Sequence, residues 1–170
     1  MIDIRSENPA QHAVAIEALY DRTFGPGHFA KTAERLREGS QSLPQCNRVA
    51  LHEGEVVGAC RIWPVEIGDS PVRSVFVGPL AVDQDYRGQG LGHDLVHKAL
   101  EACREQSWQL ALIVGSPVYF RPLGFQPVLA GQIRLPGPQD PDRILMQALD
   151  AKIDSPSGLA RRPRSGRHAF

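Results

Sequence analysis

The residues of this 170-residue chain best suited to chemistry run Leu80-Ala81-Val82-Asp83-Gln84-Asp85-Tyr86-Arg87-Gly88-Gln89-Gly90-Leu91-Gly92. Glycines at 88, 90 and 92 let the backbone adopt angles closed to other residues and let a ligand approach the main chain. Successive amide N–H groups in such a turn converge on one anion. A helix that begins inside the turn adds its own unpaired donors and the positive end of its dipole. The chemistry indicated is the cradling of a pyrophosphate. Alternating glycines also serve a plain tight turn against a sheet. Two neighbours weigh toward the anion: Arg87 adds a cation, and no acid intervenes between Asp85 and Asp94. A dinucleotide fingerprint would need glycine where His93 stands, and a P-loop would need a Gly-Lys-Ser/Thr ending, so NAD, FAD and ATP are disfavoured.

The elements around this turn are legible from period and punctuation. Residues 90–105 place Leu91, Leu95, Val96, Ala99, Leu100 and Cys103 on one face, opposite His93, Asp94, Lys98 and Glu101, which predicts an amphipathic helix. Residues 48–51, 55–67 and 72–82 read as strands separated by His52-Glu53-Gly54 and Gly68-Asp69-Ser70-Pro71, an antiparallel meander. Gly78-Pro79 falls inside the third of these strands, and because proline donates no N–H, regular pairing is expected to fail there. The apolar run 110–114 predicts a buried strand, giving a strand-helix-strand parallel crossover. Residues 1–5 form a candidate edge strand, 10–22 and 29–38 two helices around the loop Phe24-Gly25-Pro26-Gly27-His28, and 126–135 and 143–149 two further strands.

Composition bounds the class. The chain is 42% hydrophobic and 22% charged, with 19 basic against 19 acidic residues, as in an ordinary single domain that folds without disulfides or metal. Balanced charge argues against wrapping nucleic acid or coating an anionic membrane. Residues 155–170 hold Arg161, Arg162, Arg164 and Arg167 with no acid, so the expected organisation is one domain over 1–154 and a basic, surface-draped tail over 155–170. Cys46, Cys60 and Cys103 fit neither a disulfide framework nor a CxxC site, which points to a reducing cytosol and to no metal centre. No apolar run approaches the ~20 residues of a membrane span, and Asp3, Arg5 and Glu7 interrupt any secretory leader, so a cytoplasmic protein is expected.

The turn Arg87-Gly88-Gln89-Gly90-Leu91-Gly92, set between a proline-disrupted strand and a helix, resembles the acetyl-CoA signature of the GCN5-related N-acetyltransferases. A second block, Val114-Gly115-Ser116-Pro117-Val118-Tyr119-Phe120-Arg121-Pro122-Leu123-Gly124-Phe125, is similar to the strand and short helix that follow in that family, most of all in its bacterial YhbS-type subgroup. The resemblance covers about residues 48–149. It implies an α/β fold whose mixed, mostly antiparallel sheet is splayed at the fourth strand, with helices on both faces. It also implies acetyl-CoA as co-substrate, its pantetheine arm pairing with the backbone of Leu80, Ala81 and Val82 and its pyrophosphate held by Arg87, Gly88, Gln89, Gly90, Leu91 and Gly92. Gly115 and Phe120 would line the thioester end. An acceptor amine, on a small molecule or a protein, would then attack the thioester directly, so none of the cysteines need carry an acyl group.

The sequence departs from the family pattern at the proton donor. Many members have tyrosine where Phe120 stands; Tyr119 is the adjacent hydroxyl and the candidate general acid. The strand 72–82 offers no Asp or Glu as base, which leaves Glu66 and His28 as candidates by position, while His93 is a possible ligand contact or an ordinary helix-surface histidine. Residues 10–47 should roof the acceptor pocket and contain neither an acidic cluster for a polyamine nor an aromatic cage. The absent base and Phe120 also motivate a weakly catalytic acyl-CoA sensor as the alternative. No membrane or nucleic-acid partner is expected, and a homodimer is possible.

Overall fold

The computed structural model describes residues 1–25 and 32–164. Nine strands form the sheet: β1 (Ile2–Ser6), β2 (Arg48–His52), β3 (Glu55–Ile67), β4 (Ser74–Val82), β5 (Leu110–Val114), β6 (Gln126–Pro127), β7 (Ile133–Arg134), β8 (Ile144–Ala148) and β9 (Gly158–Arg161). The main order is β1-β2-β3-β4-β5-β8-β6, antiparallel except for β4 beside β5. Among the described residues three helices accompany it: α1 (Pro9–Phe24), α2 (Leu91–Glu105) and the one-turn α3 (Pro117–Phe120).

Local signals explain the helix ends. Asn8 caps α1 by accepting from the Ala10 N–H, Pro9 occupies the first turn where no amide donor is needed, and Gly25 closes the helix at φ 78°. The apolar stripe of α2 buries Leu95, Val96, Ala99, Leu100 and Cys103 against Val57, Cys60 and Ile62 of the sheet. The opposite face receives Ile16, Leu19 and Tyr20 of α1 against Val49, Ala59 and Ala81. The alternation of β2, Val49 to one helix and Ala50 to the other, shows a strand buried on both sides. A third apolar cluster, around Phe76, Leu110, Leu112 and Ile144, is built on β4, β5 and β8.

Two features of β4 create a cleft. Its parallel register with β5 runs Ser74↔Leu110, Val75↔Ala111 and Phe76↔Leu112 and stops. Against β3, Cys60 faces Leu80 but Ile62 faces Val77, so Arg61 alone opposes both Gly78 and Pro79. That extra residue is the irregularity expected from Gly78-Pro79, and beyond it β4 and β5 splay apart.

Three expectations need correction. The segment expected as a helix over 29–38 is, in its described part, only a 3-10 turn over Thr32–Leu36. The single strand expected over 126–135 is two short pieces, β6 and β7, separated by a turn at Gly131. The basic end is not draped throughout: β9 pairs Glu66↔Arg161 and Ile67↔Ala160 on β3, and Ile133↔Gly158 on β7. Ala160 is fully buried there, and Arg161 donates to the Gly68 carbonyl at 2.8 Å. A backbone ladder and one small apolar side chain hold this strand despite its polar composition.

Candidate active site

The splayed end of β4 is fixed by two side-chain donors. The Trp63 indole N–H donates to the Gly78 carbonyl at 2.7 Å, and the Tyr20 hydroxyl donates to the Pro79 carbonyl at 2.8 Å. Tyr20 is itself held beneath the Arg61 guanidinium, 5.6 Å from its ring centroid, and Arg61 pairs with Glu7 and Glu17. Burial pushes the Tyr20 hydroxyl well above its ordinary pKa, so it remains a donor. The carbonyls at the kink are thus occupied, while among the described residues no strand pairs with the β5-facing edge of residues 80–82. Such an edge hydrogen-bonds an amide-bearing ligand as though it were another strand.

The glycine turn lies at the end of this edge. Asp83 accepts from the Asp85 N–H at 3.1 Å and from Arg22 at 3.2 Å. The backbone hydrogen bond from Asp85, with Arg22 beside it, holds the Asp83 carboxyl below the usual carboxylate range. Gly88 and Gly90 have φ of 79° and 82°, and a Cβ on either would meet nothing within 4 Å. Gly90 is the N-cap of α2 and supplies no side-chain cap, so the first-turn amides of α2 open onto the space above these glycines. Arg87 is tied to the Val82 carbonyl at 3.0 Å through its Nε, which places its guanidinium beside the turn.

The far wall comes from the end of β5 and from α3. Ser116 caps α3 by accepting from the Tyr119 N–H at 3.4 Å. The Phe120 ring lies on Gly115, where a Cβ would collide with it, and packs edge-on to Phe125 at 6.0 Å. Tyr119 stands beside it, 42% exposed, with its ring 4.5 Å from that of His93 and its hydroxyl against Gly92. Partial burial, with Cys60 a lesser cause, raises the Tyr119 pKa above the ordinary phenol value, so it holds its proton at neutral pH. His93 Nε2 is engaged by the Tyr119 carbonyl at 2.9 Å.

These walls enclose one cleft of about 1150 Å³. Of the expected cofactor residues, Leu80, Ala81, Val82, Arg87, Gly88, Gly90, Leu91, Gly92 and Phe120 line it, as does Tyr119. Gln89 does not, and Gly115 sits behind Phe120. Glu66 is not brought to the cleft: it is buried at the β3–β9 junction, where the register of β9 sets Arg161 opposite it at 3.5 Å. His28 lies outside the described residues.

The sequence reading missed Arg37, Phe76 and Arg143, which also line the cleft, and Tyr20 and Trp63, which fix its kink. None belongs to a local motif; each arrives from a distant segment. Among the described residues no cluster of three or more His, Cys, Asp or Glu is placed to hold a metal ion. No described helix is long and apolar enough to cross a membrane.

Residues 13–118 match the acetyltransferase (GNAT) family model, a span that includes the kinked strand, the glycine turn and β5. The chain belongs to the GNAT acetyltransferase family. Across 159 residues it is 32% identical to the uncharacterized N-acetyltransferase YhbS of Escherichia coli K12, covering 92% of this chain and 93% of that protein. The crystal structure of a GNAT-family YhbS from Escherichia coli, in complex with CoA, superposes with a TM-score of 0.80 at 30% identity over 97% of this chain and 93% of that one. A GNAT acetyltransferase from Brucella melitensis, solved with acetyl-CoA, shares the fold at a TM-score of 0.71 and 23% identity, with 96% of each chain covered. In this N-acetyltransferase the splay of β4 from β5 and the α2 N-terminus lie within the span that the family model matches.

Proposed function

We propose that this acetyltransferase binds acetyl-CoA along residues 80–82 of β4 and over the glycine turn, and transfers the acetyl group to an amine on a small molecule or a protein. The observation that carries the reading is the meeting, in one cleft, of an unpaired strand edge and a glycine-lined helix N-terminus. The residues fit the group. Open space over Gly88 and Gly90 admits phosphates to the first-turn amides, Arg87 adds a cation, and no Asp or Glu is among the described lining residues. The CoA held by the similar YhbS structure supports the same choice of ligand.

When bound, acetyl-CoA supplies an activated thioester: the acceptor nitrogen gains the acyl carbon as the C–S bond breaks, and the amine loses a proton while the sulfur gains one. The chain's own contribution is position and exclusion. Residues 80–82 orient the amide-bearing arm, and Ile113, Val114 and Phe120 give the cleft apolar walls that keep water from the reacting end. Tyr119 Oη holds a proton at the α2 end of the cleft. With no carboxylate among the described lining residues, the acceptor's proton leaves to solvent.

Calorimetric titration with acetyl-CoA, CoA, ATP and NAD tests this directly. Saturable binding of acetyl-CoA and CoA alone is expected, followed by thiol release when an acceptor amine is added. Gly90→Asp places a carboxylate in the anion cradle and should abolish binding; unchanged affinity would remove the glycine turn from the cofactor site.

A further inference from the structure

We infer that the acceptor of this enzyme is an amine that carries its own anionic group, bound by Arg37 and Arg143 across the mouth of the splay. The inference rests on the proposed acetyl transfer and names the class of its second substrate.

The two arginines stand at one level of the V. Along β4, Gly78 lies two residues beyond Phe76, the last residue paired with β5; along β5, Val114 lies two residues beyond Leu112, its partner. Arg37 borders Gly78: its Nη1 is 3.7 Å from the point a Cβ there would occupy, and its guanidinium lies 5.8 Å from the Phe76 ring centroid. Arg143 borders Val114, since its carbonyl accepts the N–H of the next residue, Gly115, at 2.9 Å. Both residues line the cleft. They lie toward the paired end of β4, whereas Arg87 and the glycines lie past its other end, so the phosphate site does not account for them.

Arg37 is set for recognition by its own neighbour. Its Nε and Nη2 bond Glu34 at 3.2 and 2.6 Å, which leaves Nη1 turned toward Gly78; the side chain is only 9% exposed. Glu34 itself does not line the cleft. Arg143 is exposed and has no ion pair or side-chain hydrogen bond among the described residues. No Asp or Glu lines the cleft among the described residues, and the sequence of 26–31 and of 165–170 contains none. A polyamine would find two guanidinium groups and no counter-charge. The face of Phe76, otherwise a seat for an ammonium, is taken by Arg37. A carboxylate or phosphonate would find planar N–H donors on both lips, in the geometry guanidinium offers such anions.

The test uses the full chain with acetyl-CoA and a panel of free amino acids, their carboxamides, an aminoalkylphosphonate, putrescine and spermidine, followed by thiol release. Anionic amines should be acetylated in preference to their amides and to the polyamines, and the better of carboxylate and phosphonate identifies the anion. In Arg143→Ala the KM for the anionic acceptor should rise roughly 10- to 100-fold, the loss expected of one charge-assisted hydrogen-bonded pair. Its affinity for acetyl-CoA, measured by calorimetry, should not change. Arg143→Glu should reverse the preference toward cationic amines. Binding of the same amines to the CoA-loaded protein provides a readout independent of turnover and should follow the same order. Acetylation of no anionic amine, a preference for polyamines or amides, or an Arg143→Ala enzyme with an unaltered KM would overturn the inference while leaving the cofactor site intact. Failure to bind acetyl-CoA at all would instead overturn the proposed function.

Discussion

The Tyr119 hydroxyl occupies the space that a side chain on Gly92 would need. Gly92 does not require a positive φ, so its bareness is explained by this contact rather than by backbone freedom. The contact joins α3 to the first turn of α2 and places the one half-buried phenol of the far wall over the donors proposed to hold the pyrophosphate.

Gly92→Ala should therefore act through Tyr119. The obstructing atom is the end of a flexible side chain, so the helix should tolerate the methyl group; the cost falls on the cleft. Acetyl-CoA affinity is expected to drop by about 3- to 10-fold in Gly92→Ala, and most of that loss should vanish when the change is made in a Tyr119→Phe background, where the colliding oxygen is gone. Calorimetry on the four proteins of this cycle measures the coupling; strict additivity would show that the two residues act separately.

The kink of β4 should depend on its two side-chain donors. Trp63→Phe leaves the Gly78 carbonyl without its indole donor, and Tyr20→Phe does the same to the Pro79 carbonyl. Each should cost about 0.5–1.5 kcal/mol in urea denaturation, the net worth of a part-buried hydrogen bond. Weakened acetyl-CoA binding should accompany the loss, because residues 80–82 follow the kink immediately. Variants with wild-type stability and affinity would mean the kink is maintained by the β3–β4 register alone.

What could be read in advance depended on how local the cause was. Gly78-Pro79 carries its own reason for breaking a ladder, and residues 88–92 their own reason for opening a helix start, so the splay and the glycine-lined start of α2 were both legible. β9 was not: Leu159 and Ala160 are a lone apolar pair between Ser, Pro, Gly and Arg residues on either side, and the β3 edge that they join lies some ninety residues earlier in the chain. Glu66 looked available for catalysis because its partner, Arg161, sits on that unforeseen strand. Arg37 and Arg143 were invisible for the same reason, since only the register of β4 against β5 brings their neighbours to one level.

Stability should fall in alkali, beginning near pH 9. Burial pushes the Cys60 thiol from an ordinary 9.0 up to about 12, and Tyr20 is raised for the same reason. For a group whose folded pKa lies above its unfolded value, the unfolded chain releases its proton first. The stabilisation is therefore complete below pH 9 and is lost progressively as the pH rises toward 12. Urea midpoints measured from pH 7 to 11 should decline above 9, and the decline should be shallower in Cys60→Ala, even though that variant starts from a lower value because of lost packing. A flat profile would contradict the burial of both groups. The same burial keeps Cys46, Cys60 and Cys103 from reacting with the thiol reagent in a native-state activity assay.

The basic end should behave as part of the sheet. Ending the chain after Asp154 removes β9, uncovers the β3 edge at Glu66 and Ile67, and leaves the buried Glu66 carboxylate without the Arg161 guanidinium. Loss of one partner of a buried ion pair costs about 3–5 kcal/mol, so the truncated protein should melt well below the full chain. Glu66→Gln in the truncated protein should recover part of the deficit, since a neutral amide needs no countercharge. The side chains of Arg162, on the Glu38 carbonyl at 3.1 Å, and Arg164, 3.9 Å from the exposed Asp69, lie outside the Glu66↔Arg161 pairing, and replacing Arg162, Arg164 and Arg167 together by Gln in the full chain should shift the melting temperature far less than the truncation does. Equal losses from the truncation and from the triple substitution would show instead that the charge of this segment, and not its strand pairing, is what the fold uses.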